Sequence, residues 1–170
     1  TGACVSQAQI YVDAEANAGG DGASWARAYT DLQDALSIAT GNDQIWMAAG
    51  TYTPGPNRGD SFTVTGEQDG LQMYGGFAGT ETALTERDLG AGHQTILSGD
   101  IDQNDYVFAP ATDSDGNAST SSQTDHINGE NSDHVLVFDG GEAIGIGTNI
   151  TANVTPATVL DGVTVANGQA

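Results

Sequence analysis

The chain has 170 residues, with 23 Asp and Glu against three Arg and no Lys, for a formal net charge of -20. Such a charge argues against nucleic acid, which needs Lys and Arg to displace counterions, and against an anionic membrane surface. No apolar run approaches the roughly 20 residues of a membrane-crossing helix, and the length suits one domain, residues 1–170, around one core. The balance fits a soluble extracellular protein, a high-salt setting or a protein that binds cations.

Along the chain, Thr1 to Gln9 is a polar stretch that reads as an N-terminal arm, with Thr1-Gly2-Ala3 small as after processing. Cys4 is the one cysteine. It has no internal partner, so it is a small buried hydrophobe, a bridge to another chain or a lipid attachment point. Ile10-Tyr11-Val12 reads as a first strand, followed by a Gly/Ala/Asn loop to Ala23. Thr30-Asp31-Leu32-Gln33 matches a capping box, Leu32, Ala35, Leu36 and Ala39 follow at helical spacing, and Gly41 offers a left-handed stop. Together they predict a helix over 31–40 with one apolar face.

After the helix one pattern recurs: a short apolar strand, then a Gly or Asp turn. Ile45–Ala49 ends at Gly50, Leu71–Tyr74 at Gly75-Gly76, Thr95–Ser98 at Gly99-Asp100, Val135–Phe138 at Asp139-Gly140, and Thr158–Leu160 at Asp161-Gly162, with Val163-Thr164-Val165 directly behind. Successive starts lie about 25 residues apart, with one gap near 40. A repeat of this kind predicts a solenoid whose coils bury their apolar faces by stacking. The coil-facing set is expected to include Ile45, Met47, Leu71, Met73, Ile96, Val135, Val137, Val159 and Val163, and Trp25, Trp46, Tyr52, Tyr74 and Phe77 are expected to fill the coil rather than bind sugar. The wide gap is occupied by residues 109–131, which are rich in Ser, Thr, Asp and Asn and read as a long polar loop insertion.

Several of these segments carry a resemblance. Ile10-Tyr11-Val12-Asp13, Ser24-Trp25, Ala28–Leu36, Ile45–Tyr52, Tyr74–Glu81, Thr95–Asp100 and Val159–Val165 are together similar to the start of secreted right-handed parallel β-helix proteins, the pectin-lyase-like superfamily. The resemblance implies an all-β solenoid whose N-terminal end is capped by the amphipathic helix. It does not imply catalysis, because many large surface proteins of this kind look non-enzymatic.

The strongest site signal is acidic. Asp100, Asp102, Asn104 and Asp105 form one run and Asp113, Asp115 and Asn117 another. Both place oxygens at alternate positions, which in a turning loop can converge on a hard Ca²⁺ ion, though neither is an EF-hand, and Asp125 or Asp133 would complete a shell. The alternative is that Asp and Asn shape turns through side-chain bonds to backbone. Asn117, Asn149 and Asn153 head Asn-x-Ser/Thr sequons, each a glycan acceptor in a secreted protein. Arg58-Gly59-Asp60 is an adhesion tripeptide common by chance. His93, His126 and His134 have no ligand spacing, and no nucleophile triad or phosphate loop is present. A lyase of the resembled superfamily would need an Arg or Lys base with Ca²⁺, and Arg87 sits among Glu86 and Asp88, which it most simply pairs with.

The expectation is therefore a non-catalytic, secreted or surface-borne structural or adhesive β-helix. Its expected partner is another copy, stacked head to tail through Thr1, Gly2, Ala3 and Cys4 at one end and Val163 and Val165 at the other. Surface glycans are the other expected partner. A polysaccharide lyase, a glycoside hydrolase or a segment of a longer stalk are the alternatives.

Overall fold

The computed structural model describes residues 7–90, 92–105, 129–139 and 154–168. Its strands are β1 (Gln9–Val12), β2 (Gln44–Ala48), β3 (Gly50–Tyr52), β4 (Phe62–Thr65), β5 (Gln72–Phe77), β6 (Thr95–Ser98), β7 (Leu136–Asp139), β8 (Val159–Asp161) and β9 (Val163–Ala166). They form three sheets, in the orders β1-β2-β5-β8, β3-β6-β9 and β4-β7. Every strand pair is parallel. From β2 onward the chain visits the first, second and third sheets in turn and then starts again. The all-parallel pairing follows from that order, because each strand lies on one laid down a full circuit earlier.

Period-two alternation sends one column of each sheet inward. In the first sheet that column is Ile10, Ile45, Met73 and Leu160, matched residue for residue. In the third it is Phe62 with Leu136 and Val64 with Phe138. Residues of all three sheets enter one core, with Ile45, Met47, Phe62, Val64, Met73 and Leu97 at 0% exposure. Tyr52 is the one aromatic of the expected five that joins this core. Its hydroxyl donates to Ala48 O at 3.0 Å, and burial pushes its pKa up.

The strand parity expected for β6, β7 and β8 is corrected by the register. Thr95 and Leu97 face inward and Ile96 outward, Leu136 and Phe138 occupy the inward positions in place of Val137, and Leu160 does so in place of Val159. Thr95 is tolerated inside because its hydroxyl lies 3.1 Å from Ala48 O and accepts from Gly76 N at 3.0 Å, beside the register shift between Trp46 and Ala48. The spacing of about 25 residues is not the circuit length either. Neighbours in the first sheet, Gln9, Gln44, Gln72 and Val159, are 35, 28 and 87 residues apart, because several successive apolar runs belong to different sheets.

Glycine marks the corner between the first and second sheets. Gly162 joins β8 to β9 at φ +72, and a Cβ on Gly75, one circuit below, would run into the Gly162 carbonyl oxygen. Backbones approach here as only glycine permits.

The helix α1 (Leu32–Ile38) is shorter than the expected 31–40 span and is capped by Asp31, not Thr30. Asp31 Oδ1 accepts from Gln33 N at 2.8 Å. The Gln33 amide points away from the cap and donates to Pro54 O at 2.7 Å and Ser61 O at 3.0 Å. The far end does not use Gly41 as a left-handed stop. Ala39 is extended, Asn42 takes the positive φ of 70°, and Gly41 packs against Asp69 O. Buried Asp43 organises this turn by accepting from Ala8 N, Thr40 N and the Thr40 hydroxyl. Burial alone would raise its pKa, but the amide and hydroxyl donors outweigh burial and hold it below the ordinary Asp value. Its contribution is thus full above the unfolded-state pKa and is lost as pH falls through the lower folded one.

The expected arm is also shorter than residues 1–9, since Gln9 already pairs with Gln44 in β1; residues 1–6 lie outside the described residues. The polar insertion ends in structure: Asn131 is fully buried and bridges Asp100.

The register makes a paired prediction. Leu97→Asp places an unpaired carboxylate in the core and should abolish folding, whereas Ile96→Asp, one residue away, should keep a cooperative melt. Far-UV circular dichroism with thermal melts reads both, and the opposite ranking would overturn the parity of β6.

Candidate functional site

The outer face of the first sheet carries two columns: Gln9, Gln44, Gln72 and Val159, and beside it Tyr11, Trp46, Tyr74 and Asp161. Gln44 and Gln72 are joined across their strands and held by the neighbouring rings. Gln44 Nε2 donates to Gln72 Oε1 at 2.9 Å, Trp46 Nε1 to Gln44 Oε1 at 3.0 Å, and the Tyr74 hydroxyl to Gln72 Oε1 at 3.1 Å. Four rings form a second apolar cluster outside the sheet. Trp46 stacks on Phe77 at 4.5 Å, Trp25 lies 5.5 Å from Phe77, and Tyr11 meets Trp25 edge-on at 4.8 Å. Trp46 is thereby 4% exposed although it faces away from the core. Of the aromatics expected to fill the coil, Trp25, Trp46, Tyr74 and Phe77 instead build or border this outer cluster.

The cluster is held from one side by a loop. Trp25 Nε1 donates to Glu81 O at 2.8 Å, and the Glu81 carboxylate accepts from Ala78 N and Thr80 N at 2.6 and 2.9 Å. Burial pushes the Glu81 pKa up, but these backbone donors outweigh burial and bring it below the usual range.

Arg87 closes the other side. It lies 5.0 Å from the centre of the Tyr74 ring, its Nη1 donates to Gly75 O at 3.3 Å, and its Nη2 pairs with the Asp161 carboxylate. The pairing with Glu86 or Asp88 expected from the sequence is replaced. Glu86 accepts from Thr82 N and Ala83 N, and Asp88 accepts from Gly90 N and lies 3.7 Å from His93 Nδ1. The other arginines are engaged too: Arg27 with Asp21, and Arg58 of the Arg-Gly-Asp tripeptide with Asp133 at 2.9 Å and Glu130 at 4.0 Å. Asp60 of that tripeptide accepts from Asn57 N and its side-chain amide.

The acidic run 100–105 lies where β6 leaves the second sheet. Asp100 is buried, and its two oxygens accept from Asn104 N and Asp105 N, each at 3.1 Å. Asp102 Oδ2 accepts from Asn104 Nδ2 at 2.8 Å and from Glu130 N at 3.4 Å. Asn131 Nδ2 donates to Asp105 Oδ2 at 2.6 Å and to Asn167 O at 3.2 Å. Three stretches of chain therefore converge on this corner, tied by carboxylates that act as turn-forming acceptors. Among the described residues no three His, Cys, Asp or Glu side chains form a metal-binding group. Among the described residues, Asn131 Oδ1 and the Ser132 hydroxyl are buried there without a hydrogen-bond partner. Sequence reasoning missed Asn131, and only its distance of 31 residues from Asp100 stood against finding it.

Asp113, Asp115, Asn117, Asn149, Asn153, Thr1, Gly2, Ala3 and Cys4 lie outside the described residues. Val163 is half-buried against the core, and Val165 is 48% exposed at an inward position. Among the described residues no helix is long and apolar enough to cross a membrane. Compared with family models, with curated proteins and with solved structures, the chain matches none.

Asp100 is the member of this corner whose role can be tested alone. Asp100→Ala orphans two amides next to buried groups and should lower stability by about 1–3 kcal/mol even in EDTA. A chemical-denaturation curve in EDTA that matches the parent would remove Asp100 as the organiser of the turn.

Proposed function

We propose that this chain is a right-handed parallel β-helix with a helical N-terminal cap, working outside the cell as a structural or adhesive element and not as an enzyme. The observation that supports this most is the cyclic order of its three parallel sheets around one core. A body built that way is extended by adding circuits, and its outer faces serve as surfaces. The engagement of all three arginines in ion pairs supports the non-catalytic reading. A lyase base must be available to take a proton, and Arg87 is bound to Asp161 and to two main-chain carbonyl oxygens across neighbouring strands. The test is incubation with acidic and neutral polysaccharides, with and without Ca²⁺, while following unsaturated uronate absorbance and new reducing ends. No turnover is expected. Turnover that disappears in Arg87→Ala, with the fold kept, would move the chain to the lyases.

Calcium belongs to the same proposal. Its oxygens would come from the run Asp100, Asp102, Asn104 and Asp105, from the run Asp113, Asp115 and Asn117, or from each run separately, and the net charge of -20 favours any bound cation. A ligand that binds only the folded state stabilises it by about 2.7 kcal/mol at one hundred times its dissociation constant. Millimolar Ca²⁺ should therefore raise the melting temperature over EDTA at equal ionic strength. An unchanged melt, or an equal effect of Mg²⁺ and NaCl, would remove the site.

A further inference from the structure

Where β6 leaves the second sheet, the chain meets residues 129–132 in a short antiparallel contact. Ser132 N donates to Gly99 O at 2.8 Å and Ile101 N to Glu130 O at 3.3 Å, so Asp100 and Asn131 oppose each other as a non-hydrogen-bonded pair. The side chains of such a pair stand on one face and lie close together. Asp100 is 8% exposed and Asn131 0%. Asn131 Nδ2 donates to Asp105 Oδ2 and to Asn167 O. These two acceptors fix which way the amide points, because the flipped amide would set oxygen against oxygen at both. Asn131 Oδ1 is therefore held among these acidic side chains, buried and without a partner among the described residues. Gly129 lets the two stretches approach, since a Cβ there would run into Asp102 Oδ2.

We infer that Asn131 Oδ1 is a ligand from outside the acidic run and completes, with Asp100 and Asp105, a site for one Ca²⁺ ion. The inference rests on the Ca²⁺ reading proposed above and locates it at this corner. The groups set around the orphaned oxygen are themselves acceptors: the Asp100 and Asp105 carboxylates and the Asn167 carbonyl. The donors at this corner are directed elsewhere. Asn104 N and Asp105 N donate to Asp100, and Asn104 Nδ2 and Glu130 N donate to Asp102. Arg58, which reaches Glu130, is held by Asp133. A water would satisfy Oδ1 alone, whereas a cation also offsets the buried charge of Asp100. Each Asp100 oxygen accepts one amide and has a second lone pair to offer a metal. Ca²⁺ takes carboxylate and amide oxygens together. An amide oxygen can thus serve where the three carboxylates of the run do not form a group by themselves. Asp102 and Asn104 are exposed at the rim, which gives the ion a way in from solvent. Bound there, the ion ties the exit from β6 to residues 129–132 and, through Asn131 Nδ2, to Asn167 behind β9.

Titration of the EDTA-stripped protein with CaCl2, followed by amide-resolved NMR, is the test, with MgCl2 and NaCl at matched ionic strength as controls. The expected result is a saturable shift of the Asn131 side-chain amide together with the Asn104 and Asp105 main-chain amides, given by Ca²⁺ and not by the controls. In calorimetry Asn131→Ala should weaken Ca²⁺ binding by about tenfold or more, since even residues behind a metal ligand typically cost that much. Circular dichroism checks that the variant is folded, and if it is not, the titration of the parent decides. Saturable Ca²⁺ binding that leaves the Asn131 side-chain amide unmoved overturns this site while the Ca²⁺ reading stands, with the ion on other oxygens. No saturable binding, or an equal response to the controls, overturns both and assigns the orphaned oxygen to a buried water.

Discussion

Parallel pairing across circuits is the constraint on which the rest depends. Each strand must lie over one placed a circuit earlier, so an inward side chain has a fixed neighbour below it. The column Ile10, Ile45, Met73, Leu160 meets that demand with unbranched or γ-flexible residues beside β-branched ones. Where a polar residue enters the row, as Thr95 does, its hydroxyl is consumed at once by backbone groups freed by the neighbouring irregularity. The same constraint places glycine at the corner, because two backbones there leave no room for a side chain.

The acidic composition takes on a different meaning against this frame. Many carboxylates end on main-chain amides. Asp43 holds the end of α1, Glu81 the loop under Trp25, Asp100 the exit from β6, and Asp69 the Thr155 turn. A chain that turns sharply three times per circuit leaves amides unpaired at each corner, and short acidic side chains satisfy them. Thus part of the charge that suggests ion binding is already used to shape turns.

The helix and the strands at Ile45 and Leu71 were legible in the sequence because each depends on residues close together along the chain, whereas the turn role of Asp100 was only the alternative to its reading as a Ca²⁺ ligand. Which side of β6 and β7 faces inward was not legible. A four-residue run such as Thr95-Ile96-Leu97-Ser98 is apolar at its centre on both faces, and parity is decided by the strand below. The cap at Asp31 was one residue from the expected Thr30 because both side chains can cap, and the Gln33 amide was drawn to carbonyls at Pro54 and Ser61. The outer aromatic cluster and the convergence of Asp100, Asn131 and Asn167 join residues tens of positions apart, and no local pattern announces them.

The unequal distances between paired strands also set an order of assembly. β1, β2 and β5 pair over gaps of 35 and 28 residues, whereas β8 joins β5 across 87. Closing the longer loop costs about 1 kcal/mol more in chain entropy than closing the 28-residue one. The capped end is also the first to leave the ribosome. It is therefore a template already formed when β8 and β9 emerge, and the sheets build upward from the capped end.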